Sequence, residues 1–269
     1  MARSGFQLSG DAARIYEEQK VPTMFAPLAV ATLDQVTVLA DDVVLDIACG
    51  TGIVARTVRQ RAGAKPRIVG TDLNGDMIAI AQSLTDDAAR TCEWQTADAT
   101  DLPFEADTFS IAFCQQGIQF FPDKQAALTE VHRVLKPAGR ICFTVWNGVA
   151  DIVVPMTEAL AQHVSADAAR KATAPFALEA NQLLPMLAEA GFMECSISDI
   201  SINRTIPATV HGVRGEIEGL PIAKIIFEKS EAAMDHVVQD TFTGLAPFRQ
   251  GDFFVVPQKT HLIEAVKGS

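Results

Sequence analysis

Val44-Leu45-Asp46-Ile47-Ala48-Cys49-Gly50-Thr51-Gly52 reads as a buried strand running into a two-glycine loop, and Ile53 opens a helix directly after it. Glycines let a backbone approach a ligand closely, and a helix N-terminus offers unpaired N–H groups. Gly50-x-Gly52-x-x-Ala55 also fits a relaxed dinucleotide fingerprint. Asp46 points elsewhere. A carboxylate at that strand end repels a pyrophosphate but suits the ammonium of an amino-acid-like ligand. Asp72 ends the next apolar run, twenty residues past Gly52. An acid there accepts the ribose hydroxyls of nucleoside cofactors of either kind.

Working outward, strands alternate with helices. Strands are predicted at Val43–Ile47, Arg67–Asp72, Glu93–Thr96, Thr108–Cys114 and Arg140–Trp146. Helices are predicted at Ile53–Arg61, Asp76–Leu84 and Lys124–Leu135. Such alternation makes a parallel sheet covered on both faces. Asp98-Ala99 follows the third strand. A carboxylate beside a backbone N–H there can read an adenine edge. Gln115 ends the fourth strand, and ligands of open α/β sheets bind beyond such strand ends.

Four segments in this order resemble the class I S-adenosylmethionine-dependent methyltransferases, nearest to the ubiquinone/menaquinone type. They are Leu45–Gly52, Gly70–Met77, Asp98–Phe104 and Glu130–Arg140. The resemblance covers about Tyr16 to Trp146. It implies S-adenosylmethionine as cofactor, with S-adenosylhomocysteine as product. Asp46, Ala48 and Gly50 would cradle the methionine part, Asp46 helping to hold its ammonium. Asp72 would accept both ribose hydroxyls, and Leu73 and Met77 would pack on adenine. Asp98 and Ala99 would read the adenine edge, Gln115 would approach the methionine moiety, and Tyr16 would close over the cofactor or simply pack. The fold implied is an α/β, doubly wound, Rossmann-like sheet of seven mostly parallel strands, with a final antiparallel strand at Asp252–Val266. Departures from the family pattern are Ala48 for the first loop glycine, Pro137-Ala138-Gly139 for Pro-Gly-Gly, and Ser110 for the aspartate that often opens the fourth strand.

The chain has 269 residues, 48% hydrophobic and 20% charged, which fits a globular protein with a full core. Its 22 Lys and Arg face 33 Asp and Glu, a net charge of -11. That balance argues against nucleic acid or an anionic membrane as the main partner, because both need a basic face. No run is long enough to span a membrane, and the first residues lack a signal-peptide core. Five cysteines with no Cys-x-x-Cys pair point to reduced thiols and a cytoplasmic protein. Cys49 and Cys114 read as buried fillers rather than nucleophiles. No metal-ligand spacing is visible.

A single methyltransferase domain over 1–269 is expected. Residues 1–40 form an N-terminal helical lid, with helices Asp11–Lys20 and Thr23–Val36 separated by Pro22. Residues 41–147 form the cofactor-binding core, 148–206 and 251–269 the rest of the core, and 207–250 an inserted substrate cap. Val153–Thr173 and Asn181–Ala190 read as helical, Phe192–Ile206 as a long strand, and Pro257 as a bulge or edge residue. The cap's apolar residues, among them Ile222, Ile226, Phe227 and Leu245, could line a pocket, form the cap's own core or face a second copy in a homodimer. Among the histidines that could serve as a base, the cap's His211 and His236 are the candidates preferred.

The expected function is methyl transfer to a small apolar or aromatic acceptor, driven by alignment and exclusion of water. Three rivals share parts of the pattern. An NAD(P)-dependent oxidoreductase leaves Asp46 and Asp98-Ala99 unexplained. A protein or tRNA methyltransferase fits poorly with an acidic chain and a closed cap. A non-catalytic S-adenosylmethionine-binding protein shares the whole cofactor half.

Overall fold

A computed structural model describes residues 11–85 and 92–268. The leader reading rests on residues outside these. Eight strands form one sheet: β1 (Val43–Ile47), β2 (Arg67–Asp72), β3 (Glu93–Thr96), β4 (Phe109–Gln115), β5 (Leu135–Trp146), β6 (Phe192–Pro207), β7 (Arg249–Gln250) and β8 (Phe253–Lys267). The order is β3-β2-β1-β4-β5-β8-β6, and β7 adds two residues to β8, making eight strands where seven are expected. The first five are parallel, and β8 runs antiparallel to both β5 and β6. The order turns at β1, between β2 and β4, so the carboxyl ends of these strands open at a topological switch point.

The elements follow from local chemistry. Helix α3 (Ile53–Ala62) starts at Gly52 and buries Val54, Ala55 and Val58. Helix α4 (Gly75–Ser83) is capped by Asn74, whose side chain accepts from the Asp76 N–H at 2.9 Å. Asp123 caps α5 (Lys124–Val134) in the same way. One core cluster joins β1, β4 and β5 to α5 and to α8 (Ala180–Glu189). A second lies on the opposite face, under α3 and the N-terminal helices.

The structure corrects three boundaries. First, Pro22 does not separate two helices. Helix α1 (Asp11–Ile15) runs through a π-helical segment, Tyr16–Phe25, into α2 (Ala26–Gln35). The wider i→i+5 turn accommodates a ring that lacks an N–H and would clash with an α-helical carbonyl. Second, β5 begins at Leu135, but Lys136–Gly139 bulges out, because Phe109 pairs with Leu135 and Ile111 already pairs with Arg140. Third, the helix after Trp146 is two, α6 (Val153–His163) and α7 (Ala166–Thr173). Ser165 stops the first and caps the second, accepting from the Ala168 N–H at 3.0 Å. Pro257, expected at a bulge or edge, stands in a stretch of β8 that is a local edge. It pairs with Asn203 on one side, beyond the last β5 pair at Trp146–Thr260, so no partner on the other side needs its missing N–H.

Between β6 and β7 lie α9 (Val210–Glu218), α10 (Ile222–Lys229) and α11 (Glu231–Gly244). Ile222, Ile226, Leu245 and Phe254 are buried with α6 and α7 in a third cluster, while Phe227 and Phe253 are exposed. Most of this apolar surface is therefore the segment's own core.

Ala48 adopts φ +52°, a left-handed conformation that L-residues resist. Its cost is about 1 kcal/mol or more, partly offset by the lower flexibility of alanine in the unfolded chain. Ala48→Gly is expected to stabilise the protein by about 0.5–1 kcal/mol, raising its melting temperature by roughly 1–3 °C. A lower melting temperature in calorimetry would show that the Ala48 methyl packs productively instead.

Candidate active site

The loop after β1 is tied to β2 by a carboxylate. Asp72 Oδ2 accepts from the Gly50 N–H and Oδ1 from the Asn74 N–H, both at 2.8 Å. Each oxygen retains lone-pair capacity for a further donor. Burial raises the Asp72 pKa, against the pull of those two N–H groups. Asp46 is only 1% exposed. Its Oδ2 accepts from the Ala55 N–H at 3.0 Å, and its Oδ1 has no partner. Burial pushes the Asp46 carboxyl up to about 7, the Ala55 N–H opposes that, and Asp72 adds to it. An unpartnered buried carboxylate oxygen is costly unless a donor arrives. This is the polarity that a ligand ammonium satisfies and a phosphate does not.

Gly50 and Gly52 both have positive φ, +56° and +82°. The Tyr16 ring lies over Gly50, its hydroxyl oxygen 3.6 Å from where a Cβ would stand. Burial, then Asp72, drives the Tyr16 pKa far above its ordinary value, so the phenol stays protonated. Trp94 fills the space beside Gly52 and Gly70, where a Cβ would fall 2.1 and 2.3 Å from its ring. Its indole N–H donates to Thr85 Oγ1 at 2.8 Å.

The remaining predicted residues gather at the same end of the sheet. Leu73 is exposed and Met77 is buried at the start of α4. Asp98 Oδ1 accepts from the Thr100 N–H and hydroxyl, which fixes its carboxylate beside half-buried Ala99. Gln115 donates from Nε2 to the Phe25 carbonyl at 3.1 Å, leaving its buried Oε1 without a partner. His211 and His236 are placed differently. Both are exposed, on α9 and α11, which pack on each other and on α10. The His236 ring stacks on His163, with centroids 5.0 Å apart.

Burial pushes the Cys114 thiol up to about 12 and the Cys49 thiol well above its ordinary value, so both act as fillers. Among the described residues, no group of three or more His, Cys, Asp or Glu could hold a metal ion, and no helix is long and apolar enough to cross a membrane.

Sequence reasoning missed the stitching of the N-terminal segment to the site. Glu17 pairs with Arg56 of α3 at 2.9 Å. Lys20, almost fully buried, donates to both the carbonyl and the carboxylate of Glu216 at 2.8 Å. Arg204 of β6 binds the same Glu216 carboxylate. These partners lie far apart in the chain, and no local pattern announces them. Trp94 was also missed, although two glycines in adjacent segments marked the space it fills.

A groove of about 400 Å³ lies at the opposite end of the sheet, lined by Thr37, Asp42, Ser110, Lys136 and Arg140. It sits where strands begin, so it is not the ligand end. At the carboxyl ends, Tyr16 and Trp94 occupy the space over the glycines.

A β3-β2-β1-β4-β5 parallel sheet extended by an antiparallel pair, with acids ending β1 and β2 around a glycine loop, defines a class I S-adenosylmethionine-dependent methyltransferase. Comparisons agree. The model of a methyltransferase domain matches residues 44–139. The chain is 30% identical over 177 residues to demethylmenaquinone methyltransferase of Lactiplantibacillus plantarum, covering 60% of this chain and 74% of that one. It is 33% identical over 110 residues to the chloroplastic 2-phytyl-1,4-beta-naphthoquinone methyltransferase of Arabidopsis thaliana, covering 39% of this chain and 42% of that one. For that and several other curated relatives, the match spans less than half of their length. In fold it is similar to Haemonchus contortus phosphoethanolamine N-methyltransferase 2 in complex with phosphomonomethylethanolamine and S-adenosylhomocysteine. The TM-score is 0.61 at 20% identity, covering 96% of this chain and 57% of that one. It is also similar to the YcgJ protein of Bacillus subtilis, with TM-score 0.57 at 21% identity, covering 90% and 98%. The chain belongs to the S-adenosylmethionine-dependent methyltransferases of quinone-methyltransferase type, whose cofactor is S-adenosylmethionine.

Proposed function

We propose that the protein transfers the methyl group of S-adenosylmethionine to a small aromatic acceptor of the quinol kind. The observation that carries this reading is the buried, unpartnered Oδ1 of Asp46, beside a glycine loop that Asp72 holds in place. The residues present fit the cofactor. Asp46, Ala48 and Gly50 would hold its amino-acid part, Asp72 its ribose, Leu73, Met77, Asp98 and Ala99 its adenine, and Gln115 the methionine side from β4. When bound, the cofactor supplies a methyl group on positively charged sulfur, so the leaving group is already activated.

The chain's own work is then alignment and exclusion of water. Tyr16 covers Gly50, and the Gln115–Phe25 hydrogen bond holds the N-terminal segment over the end of β4. The acceptor loses a proton as its carbon or oxygen gains the methyl group. The exposed rings of His211 and His236 stand on the outer helices, so a base there requires the cap to rearrange. The demethylmenaquinone and naphthoquinone relatives support the acceptor class.

The test is anaerobic incubation with methyl-labelled S-adenosylmethionine and 1,4-dihydroxynaphthalene, with NADH and the parent quinone as the matched redox control. The expected product is labelled methylnaphthalenediol if the acceptor atom is carbon and labelled methoxynaphthol if it is oxygen. NADH oxidation without methyl transfer would overturn the reading in favour of an oxidoreductase. Cofactor binding with no transfer to this or other ring acceptors would favour a non-catalytic binding protein.

A further inference from the structure

The N-terminal segment is fastened at the carboxyl end of the sheet by contacts of two kinds. Three reach the cofactor side. The Tyr16 ring lies on Gly50, Glu17 pairs with Arg56 of α3 at 2.9 Å, and the Phe25 carbonyl accepts from Gln115 Nε2 at 3.1 Å. Lys20 reaches elsewhere, to the end of α9. Its ammonium donates to the carbonyl and to Oε2 of Glu216, both at 2.8 Å. Glu216 stands in the last turn of that helix, where carbonyls lack helical partners and the dipole favours a cation. Gly219 follows the helix and leaves room for the lysine. A Cβ there would fall 2.7 Å from Lys20 Cε and 3.1 Å from its Nζ.

Both ends of this contact have a second state open to them. Arg204 of β6 binds the same Glu216 carboxylate. Burial would raise the Glu216 pKa, but Arg204, then Lys20, hold it below its ordinary value. If Lys20 withdraws, Glu216 keeps a guanidinium beside it. No unpaired charge stays buried, which is what makes the breaking of most buried pairs so unfavourable. The lysine gains water. Burial pulls its pKa down to about 8, Glu216 opposes that and Arg204 adds to it, so its charged form is better accommodated outside the fold. A buried ion pair with a spare partner is one that opens and closes.

The segment that carries Lys20 is suited to such a movement. Tyr16–Phe25 is π-helical, a conformation that is rare and recurs at functional sites. Tyr16 and Lys20 stand four residues apart within one wide turn, so the two leave or stay together. The Tyr16 hydroxyl oxygen is 3.6 Å from where a Gly50 Cβ would stand, which is contact distance. A cofactor that takes up the surface of Gly50 therefore has to move this ring.

We propose that Lys20 is a releasable latch: seated against Gly219 and Glu216 it holds the N-terminal segment over the cofactor site, and its withdrawal sets the rate at which cofactor enters and product leaves. The inference rests on the methyltransferase reading. Lys20, Glu216 and Gly219 are positioning residues that act through the Tyr16 segment. Arg204 keeps the receiving carboxylate charged and in place whether the latch is open or closed.

The test is surface plasmon resonance with S-adenosylhomocysteine over the immobilised full chain, run beside hydrogen exchange of the ligand-free protein. Lys20→Ala removes the latch directly. Gly219→Ala leaves Lys20, Glu216 and Arg204 in place, and its φ of −75° suits alanine, but the new methyl takes the space of the lysine stem. Each variant is expected to speed both association and dissociation by about tenfold, with the dissociation constant within about threefold of wild type, because the latch lies off the glycine loop and holds free and loaded protein alike. Amides of residues 16–25 are expected to exchange at least about tenfold faster in both variants, while β1, β4 and β5 keep their wild-type protection. A merely structural ion pair predicts a lower melting temperature with unchanged binding rates and no selective change at residues 16–25, and that result would overturn the latch. Faster release in Lys20→Ala with wild-type rates in Gly219→Ala would overturn it as well, since the lysine would then act without its socket on α9. If wild type takes up no S-adenosylhomocysteine, the methyltransferase reading itself fails, and hydrogen exchange at residues 16–25 decides the latch alone.

Discussion

Replacing Asp72 by alanine is expected to abolish measurable S-adenosylhomocysteine binding, with an affinity loss of about a hundredfold or more. Two hydrogen bonds to a carboxylate are each worth about 1.5–3 kcal/mol, and a ribose offers two hydroxyls. The substitution also frees the Gly50 and Asn74 N–H groups that the carboxylate now holds at 2.8 Å. The loop after β1 and the entry to α4 then lose their common anchor. A stability loss of about 1–3 kcal/mol accompanies the binding defect, so melting and titration are read together. Affinity within threefold of wild type would mean that the ribose is held elsewhere. NADH binding by the wild type would mean that the glycine loop serves a dinucleotide after all.

The second large effect concerns Asp46 and pH. Its folded-state pKa is about 7, against an ordinary 3.8, because burial penalises the carboxylate more than the Ala55 N–H relieves it. Between those values the folded state binds a proton that the unfolded state has released. The Asp46 contribution to stability therefore falls as pH rises through that window, by something on the order of a few kcal/mol. Asp46→Asn removes this titration. The wild type is expected to lose more stability than the variant between pH 4 and pH 8 in denaturant titrations. Asp72, also raised by burial, contributes a slope of the same sign to both proteins, and the difference between them reports Asp46 together with its interaction with Asp72. Ligand binding runs the other way, since an ammonium is held by the ionised form. S-adenosylhomocysteine affinity is expected to rise with pH across the window in the wild type and to stay flat and weaker in the variant. Parallel stability curves would show that Asp46 is ionised at every pH tested, leaving the buried oxygen satisfied by some other donor.

The parallel half of the fold was legible because its signals are local. Val43–Ile47, Arg67–Asp72 and Glu93–Thr96 stand as predicted, since short apolar runs bounded by glycine and acidic turns leave few alternatives. Asp46, Gly50, Asp72, Asp98 and Gln115 meet at one end of the sheet because each closes a strand or opens the loop after it. Strand ends converge wherever strands are parallel and adjacent.

What stayed hidden was decided by contacts between distant segments. Pro22 read as a helix break, since it lacks an N–H. The fold keeps the helix going by widening the turn, and packing of Tyr16, Lys20 and Phe25 against three separate elements holds that turn in place. The cap's apolar residues read equally well as pocket or core, because hydrophobicity records burial without naming the neighbour. Lys20, Arg204 and Glu216 come together from three segments, with Lys20 and Glu216 standing 196 positions apart, and no periodicity encodes such a meeting. The parallel strands and the glycine loop follow from the sequence, which carries the local preferences that build them. Which polar atoms end up buried and unpaired is set by register and by how distant surfaces close on one another. That choice is made by the tertiary structure, which leaves Asp46 Oδ1 buried without a partner among the strand ends.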